Sequence, residues 1–147
     1  IIILFVFVLK INFVMAHENS TGIVKERMDL MKNLGKAMKA FSLTLRAQNN
    51  YNIESLRSII IEIKDHSGEN LTKQFLEKSI DMTSAANPII WEFWSSFSGI
   101  ARDLFDQSER LERRLTSSER PNINELVKSF RSIARTCKNC HSQFKIP

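Results

Sequence analysis

Cys137-Lys138-Asn139-Cys140-His141, followed by Ser142-Gln143-Phe144-Lys145, decides how the rest of this chain is read. The pattern Cys-x-x-Cys-His is the attachment signature for c-type haem. Residues three apart on a helix share a face, so both thiols can meet one porphyrin edge and form thioethers with its two vinyl groups. His141 follows directly, and its imidazole can turn under the ring as an axial iron ligand. Two other uses of such a pair fit poorly. Zinc wants about four N, S or O ligands, yet the chain holds no further cysteine, and its other histidines are His17 and His66. A redox dithiol would sit in a βαβ pattern, and none is present.

Working outward, the two cysteines fall on an apolar stripe: Leu126, Phe130, Ile133, Cys137, Cys140, Phe144. That places the haem edge against a helical core. Asn122 with Glu125 three residues on predicts a capping box at the start of this last helix. Ser117 to Pro121 ends the helix before it. That earlier helix is predicted to start at Asn87-Pro88, because Asn caps well and Pro fits the first helical position. Its stripe is Ile90, Trp94, Phe97, Ala101, Leu104, Ser108, Leu111 and Leu115, and Trp91 and Phe93 are expected to widen it. Glu109, Arg110, Glu112, Arg113 and Arg114 read as a solvated face with pairs such as Glu109–Arg113.

The first half repeats the pattern. From a cap at Ser20 or Thr21 runs the stripe Val24, Arg27, Met31, Leu34, Met38, Phe41, Leu45, stepping three and four alternately. This is the roughly 3.5-residue repeat of a bundle helix. Arg27 is a charge on that stripe. A buried guanidinium needs a partner, so Arg27 either reaches water at a bundle end or meets the edge or a propionate of the haem. A turn is expected over 46–52, and a second helix carries Ile53, Leu56, Ile60 and Ile63. Asp65 to Asn70 breaks it, and Leu71 to about Ser84 is helix-capable as a short helix or an extended loop. His66 is expected to be exposed in a polar turn. Together these segments predict an all-α, antiparallel four-helix bundle with covalently bound haem.

The chain has 147 residues, three prolines and four glycines, which suits one domain rich in helix. Residues 1–16 are largely apolar and read as a secretory signal peptide cleaved after Ala16, with a retained anchor as the alternative. Residues 17–147 then form the domain. The formal charge of +5 is read as spread along the helices, which argues against nucleic-acid binding. No phosphate-binding loop or nucleophile constellation appears, so no enzyme is expected. The haem slot is part of the core, so an apo chain is expected to be molten.

A motif of this kind near the C-terminus, on the last helix of a bundle, resembles the cytochrome c-prime family. The stretch Val24-Lys25-Glu26-Arg27-Met28-Asp29-Leu30-Met31-Lys32 is similar to that family's first helix, and Pro88-Ile89-Ile90-Trp91 with Phe97 to the start of its third. The resemblance implies one covalent haem c per chain, held by Cys137 and Cys140 with His141 on the iron, and contact from Arg27 and Met28. Lys145 stands where the family commonly has Arg. Leu30-Met31-Lys32 with Gly35 resembles the low-spin branch, which implies Met31 as sixth ligand and electron transfer to redox partner proteins. The other branch is five-coordinate and binds NO or CO. Met31 sits on the stripe at the family's ligand position. Met28 is one place off it, and Met38 is two turns further along the helix. The resemblance further implies a periplasmic protein without stable membrane insertion after processing, and a homodimer through the first two helices.

Overall fold

In a computed structural model, residues 22–47, 51–75 and 79–147 are described. The expected leader 1–16, the Ser20 or Thr21 cap and positions 48–50 of the first turn lie outside them. Six helices follow in order: α1 Gly22–Arg46, α2 Ile53–Asp65, α3 Gly68–Thr72, α4 Ile89–Glu92, α5 Trp94–Thr116 and α6 Ile123–Phe144. The four long ones, α1, α2, α5 and α6, form an antiparallel bundle in which each packs on the next around a ring. Their stripes meet in one core containing Phe41, Leu56, Ile60, Ile63, Ile90, Phe97, Leu126 and Ile133, all fully buried. Truncating any of the buried aliphatic residues to Ala would cost about 2–5 kcal/mol, the transfer term plus the cavity left behind.

Local chemistry sets the ends. Asn122 accepts from the Glu125 backbone N–H at 3.1 Å, and the Glu125 carboxylate accepts from the Asn122 N–H at 2.8 Å, completing the capping box. Asn52 caps α2 through the Ser55 N–H. Gly68 opens α3 with φ of +57°, and a Cβ there would come within 3.2 Å of the Phe105 Cβ. Only glycine meets both conditions without strain. Glu109 and Arg113 pair at 2.8 Å on the solvated face of α5.

One expectation is resolved and two are corrected. Of the two readings of Leu71 to Ser84, the described residues follow the loop: helix ends at Thr72, and residues 73–75 and 79–87 run as an irregular strap. Its carbonyls are drawn away from a helical ladder by a side chain of α1, described below. Second, the helix beginning at Pro88 is broken at Phe93 (φ −112°, ψ 39°), which separates α4 from α5. Phe93 and Trp94 consequently face solvent, at 55% and 40% exposure, so Trp94 leaves the buried stripe and Phe93 does not widen it. Trp91 stays inside and donates its indole N–H to the Phe75 carbonyl at 3.2 Å. Third, His66 is half-buried and bonded to the Glu62 carbonyl.

α1 and α6 are the least closely packed neighbours of the ring. Phe41 and Phe130 meet edge to face at 5.3 Å and close this seam at one end. Toward the start of α1 and the end of α6 the seam opens, and the Cys-x-x-Cys-His segment lies there.

Candidate haem site

Cys137 and Cys140 lie on one face of α6, half-buried and packed against the core. The α6 hydrophobic periodicity puts them there, since each occupies a stripe position between Ile133 and Phe144. Burial pushes the Cys137 thiol up, and burial together with the neighbouring Cys137 pushes Cys140 up to about 11. A redox or metal-binding dithiol needs a thiolate near neutrality, so these surroundings oppose that chemistry. Among the described residues no group of three or more His, Cys, Asp or Glu side chains could by itself hold a metal ion.

Two apolar clefts of about 280 Å³ each open between α1 and α6. Arg27, Met28, Phe75, Ala86, Ile90, Phe97 and Phe144 line the first. Leu34, Gly35, Met38, Leu71, Ile100, Leu104 and Cys137 line the second. Met31, Cys140 and His141 line both and form the wall between them. A flat apolar ring tethered by the two thiols fits such a slot, with Phe97 and Phe144 (5.4 Å apart, edge to face) beside it.

His141 stands at the mouth of the slot, exposed along one side. The part of the ring against protein, and the positive charge of Lys145 beside it, lower its pKa. The imidazole is therefore neutral at neutral pH, the form that ligates metal. Of the four methionines among the described residues, Met31 alone lines both clefts. Met28 is 40% exposed and touches only the first, Met38 only the second, and Met82 is fully exposed.

Arg27 departs from the solvated reading of the sequence. It is 4% exposed, so it is not solvated at a bundle end. Its partners are neutral: Nε and Nη2 donate to the Gln74 carbonyl (3.2 and 2.9 Å), and Nη2 to the Ser79 carbonyl and hydroxyl (3.1 and 2.8 Å). Nη1 donates to the Ser84 hydroxyl (3.2 Å), and the guanidinium lies 4.3 Å from the Phe75 ring centre. Burial lowers its pKa, partly offset by Asp81. Arg27 still lines the first cleft, but it spends its donors on the strap.

The strap is fastened at its other end to α6. Asn87 donates its N–H to the Phe144 carbonyl at 2.9 Å, and Ile146 donates to the Ala85 carbonyl at 2.8 Å, around an isolated antiparallel bridge between Ala86 and Lys145. One segment thus ties the helix of Met31 to the helix of His141 across the first cleft. No signal in the sequence marks this, because its bonds run mostly through backbone carbonyls that carry no side-chain identity.

A bundle whose last helix bears Cys-x-x-Cys-His beside an apolar slot is a c-type cytochrome. The chain belongs to the cytochrome c′ family, whose profile matches residues 22–145. Cytochrome c-556 of Agrobacterium tumefaciens (strain II Chrys) is 23% identical over 125 residues, 85% of this chain and 98% of that protein. Among solved structures, cytochrome c′ from Rhodopseudomonas palustris matches with a TM-score of 0.75 at 21% identity, covering 87% of this chain and 98% of that one. Oxidised cytochrome c556 of R. palustris matches at 0.72 and 18%, with the same coverage. The cofactor of this family is covalent haem c, and the site's thiols and apolar walls fit it.

Proposed function

We propose that the protein is an electron carrier in which Cys137 and Cys140 hold one haem, His141 ligates iron on one side and Met31 on the other. The observation that carries this reading is the place of Met31, which faces Cys140 and His141 across the seam and walls both clefts. The bound haem supplies a one-electron iron couple. The chain's own residues keep water from it, position its ligands and set its potential. A thioether paired with imidazole raises that potential and leaves the iron no open position. The c-556 relative and the Leu30-Met31-Lys32 stretch favour this branch over the five-coordinate one.

The test is the optical spectrum of the holoprotein and of Met31→Ala. Wild type should be low-spin and refuse CO; the variant should be high-spin and take CO. A high-spin wild type, or a variant with an unchanged spectrum, transfers the proposal to the NO- and CO-binding alternative.

Covalent attachment of haem through paired thiols supports maturation in the periplasm, and no described helix is long and apolar enough to cross a membrane. Fractionation with N-terminal sequencing should find mature protein beginning at His17. A homodimer through α1 and α2 would use the groove between them, where Ala37, Ala40 and Ser58 are flanked by Asn33, Lys36, Ile59 and Glu62. Sedimentation equilibrium should show a dimer that Ala40→Glu dissociates.

A further inference from the structure

Charge is segregated among the helices in a way the overall composition hides. α1 carries six basic and two acidic side chains, and α6 four basic and one acidic, so the two helices flanking the haem slot hold +4 and +3. α2 carries two basic and three acidic residues, and α5 four of each, so the opposite side holds −1 and 0. The sequence reading of charge spread evenly along the helices is therefore corrected once it is known that α1 and α6 are neighbours.

Pairing deepens the contrast. On α2 and α5 the charges are largely consumed: Arg57 and Lys64 meet Glu112, Arg57 also meets Glu54, and Arg113 meets Glu109. Glu125, the one acid of α6, is tied to Arg114 and to its own helix cap. Lys32, Lys36 and Lys39 of α1, and Arg131, Arg135 and Lys138 of α6, are exposed and enter no ion pair among the described residues. Lys36 lines the groove between α1 and α2, while three of the others adjoin slot-lining residues in the chain. Lys32 and Lys39 each adjoin a slot-lining methionine, Lys138 adjoins Cys137, and Lys145 itself lines the first cleft. Massing like charges costs stability through mutual repulsion, so a face that keeps unpaired cations beside the haem slot is matched to something negative.

We infer that the α1–α6 face around the slot is the docking surface for an acidic redox protein, which it would steer so that the partner's own redox group meets the haem opening. The inference rests on the electron-carrier reading. A nucleic acid or an anionic lipid surface would also be attracted, but either would cover the opening through which the electron must pass. Complementary charge of this kind raises association rates more than it deepens affinity.

The test uses the holoprotein, an acidic flavodoxin as electron donor, and two double variants of equal charge change. Lys39→Glu/Arg131→Glu reverses charges on the proposed face, and Arg102→Glu/Arg110→Glu reverses exposed charges on α5. At about 0.1 M salt the screening length is ~10 Å, so local charge dominates over net charge. The face variant should slow electron transfer from flavodoxin at least fivefold, and the α5 variant should change it less than twofold. Amide shifts on adding oxidised flavodoxin should map to α1 and α6 in wild type and vanish in the face variant. Equal effects of the two variants, shifts elsewhere, or binding to phosphatidylglycerol vesicles that the face variant abolishes while the flavodoxin rate is untouched, would overturn it. The spectrum of the same preparation keeps the two readings apart. A high-spin wild type removes Met31 as ligand, while the rate and shift comparison still decides the docking face.

Discussion

Replacing Arg27 by Met should weaken the fold about as much as truncating a buried apolar side chain of α1. The methionine keeps the apolar stem and removes the guanidinium. The part-buried carbonyls of Gln74 and Ser79 then lose Arg27 as a donor, and a buried acceptor that goes unpaired costs about 1–3 kcal/mol. The hydroxyls of Ser79 and Ser84 can rotate to other partners and cost little. Loss of the cation over the Phe75 ring adds about 1 kcal/mol. Against this, the variant no longer buries a charge, the penalty that depresses the Arg27 pKa. The net loss is about 3–4 kcal/mol, which for a domain of this size lowers Tm by roughly 10–15 °C. Arg27→Lys should lose about half as much, because an ammonium offers three donors from one point and cannot span acceptors on both sides of the strap. Urea unfolding of the holoprotein followed by circular dichroism gives the energies. Hydrogen exchange at Asn87 and Ile146, whose amides fasten the strap to α6, should quicken in Arg27→Met. If Arg27→Met lies within about 0.5 kcal/mol of wild type with unchanged exchange, a structural role for the buried cation is refuted.

Gly68→Ala must hold a side chain at φ of +57° with its Cβ 3.2 Å from Phe105; a loss of about 1–2 kcal/mol is expected from the left-handed backbone alone, read by the same unfolding assay. Asn122→Ala removes the capping box of the haem-bearing helix and should cost about 1 kcal/mol without changing the spectrum. The Cys137→Ala/Cys140→Ala protein should carry no haem stain on a denaturing gel and should melt broadly; a sharp melt near that of the holoprotein would contradict a core assembled around the ring. Asp81 is held below its ordinary value of 3.8 chiefly by the Thr83 hydroxyl and then by the Thr83 N–H. A depressed carboxylate contributes stability above its unfolded pKa and loses it as pH falls through the folded one. Amide exchange at Thr83 should therefore rise only below pH 3.8, and Asp81→Asn should abolish that acid step.

What the sequence revealed depended on whether the deciding interaction was periodic. The four long helices, the Asn122 box and the place of both cysteines on the core face all follow from local spacing and capping, and each was legible. The kink at Phe93 was not, because Ile90 and Trp94 keep the helical spacing straight across it; the break turns Trp94 outward while Phe97 remains buried. The strap reads equally as a short helix or an extended loop, because Leu71, Phe75 and Ile80 mimic a stripe. The residue that overrides this propensity, Arg27, lies 47 positions before Gln74. Long-range capture of backbone carbonyls leaves no mark in local sequence.

The same distinction explains why the seam between α1 and α6 carries the function. Every other pair of neighbouring long helices packs more closely than this one. On this seam Phe41 and Phe130 close one end and the stripe then yields to Met31, Met38, Cys137 and Cys140, side chains that are polarizable or reactive. A thioether packs adequately against apolar walls, so Met31 can sit in the seam at modest cost. With little direct packing between the two helices there, their separation is held by the strap, from Arg27 at one end to the Ala86–Lys145 bridge at the other. The gap that a haem requires is thus built into the fold by a clasp outside it, and the stability of that clasp, through Arg27, should govern how firmly Met31 is kept opposite His141.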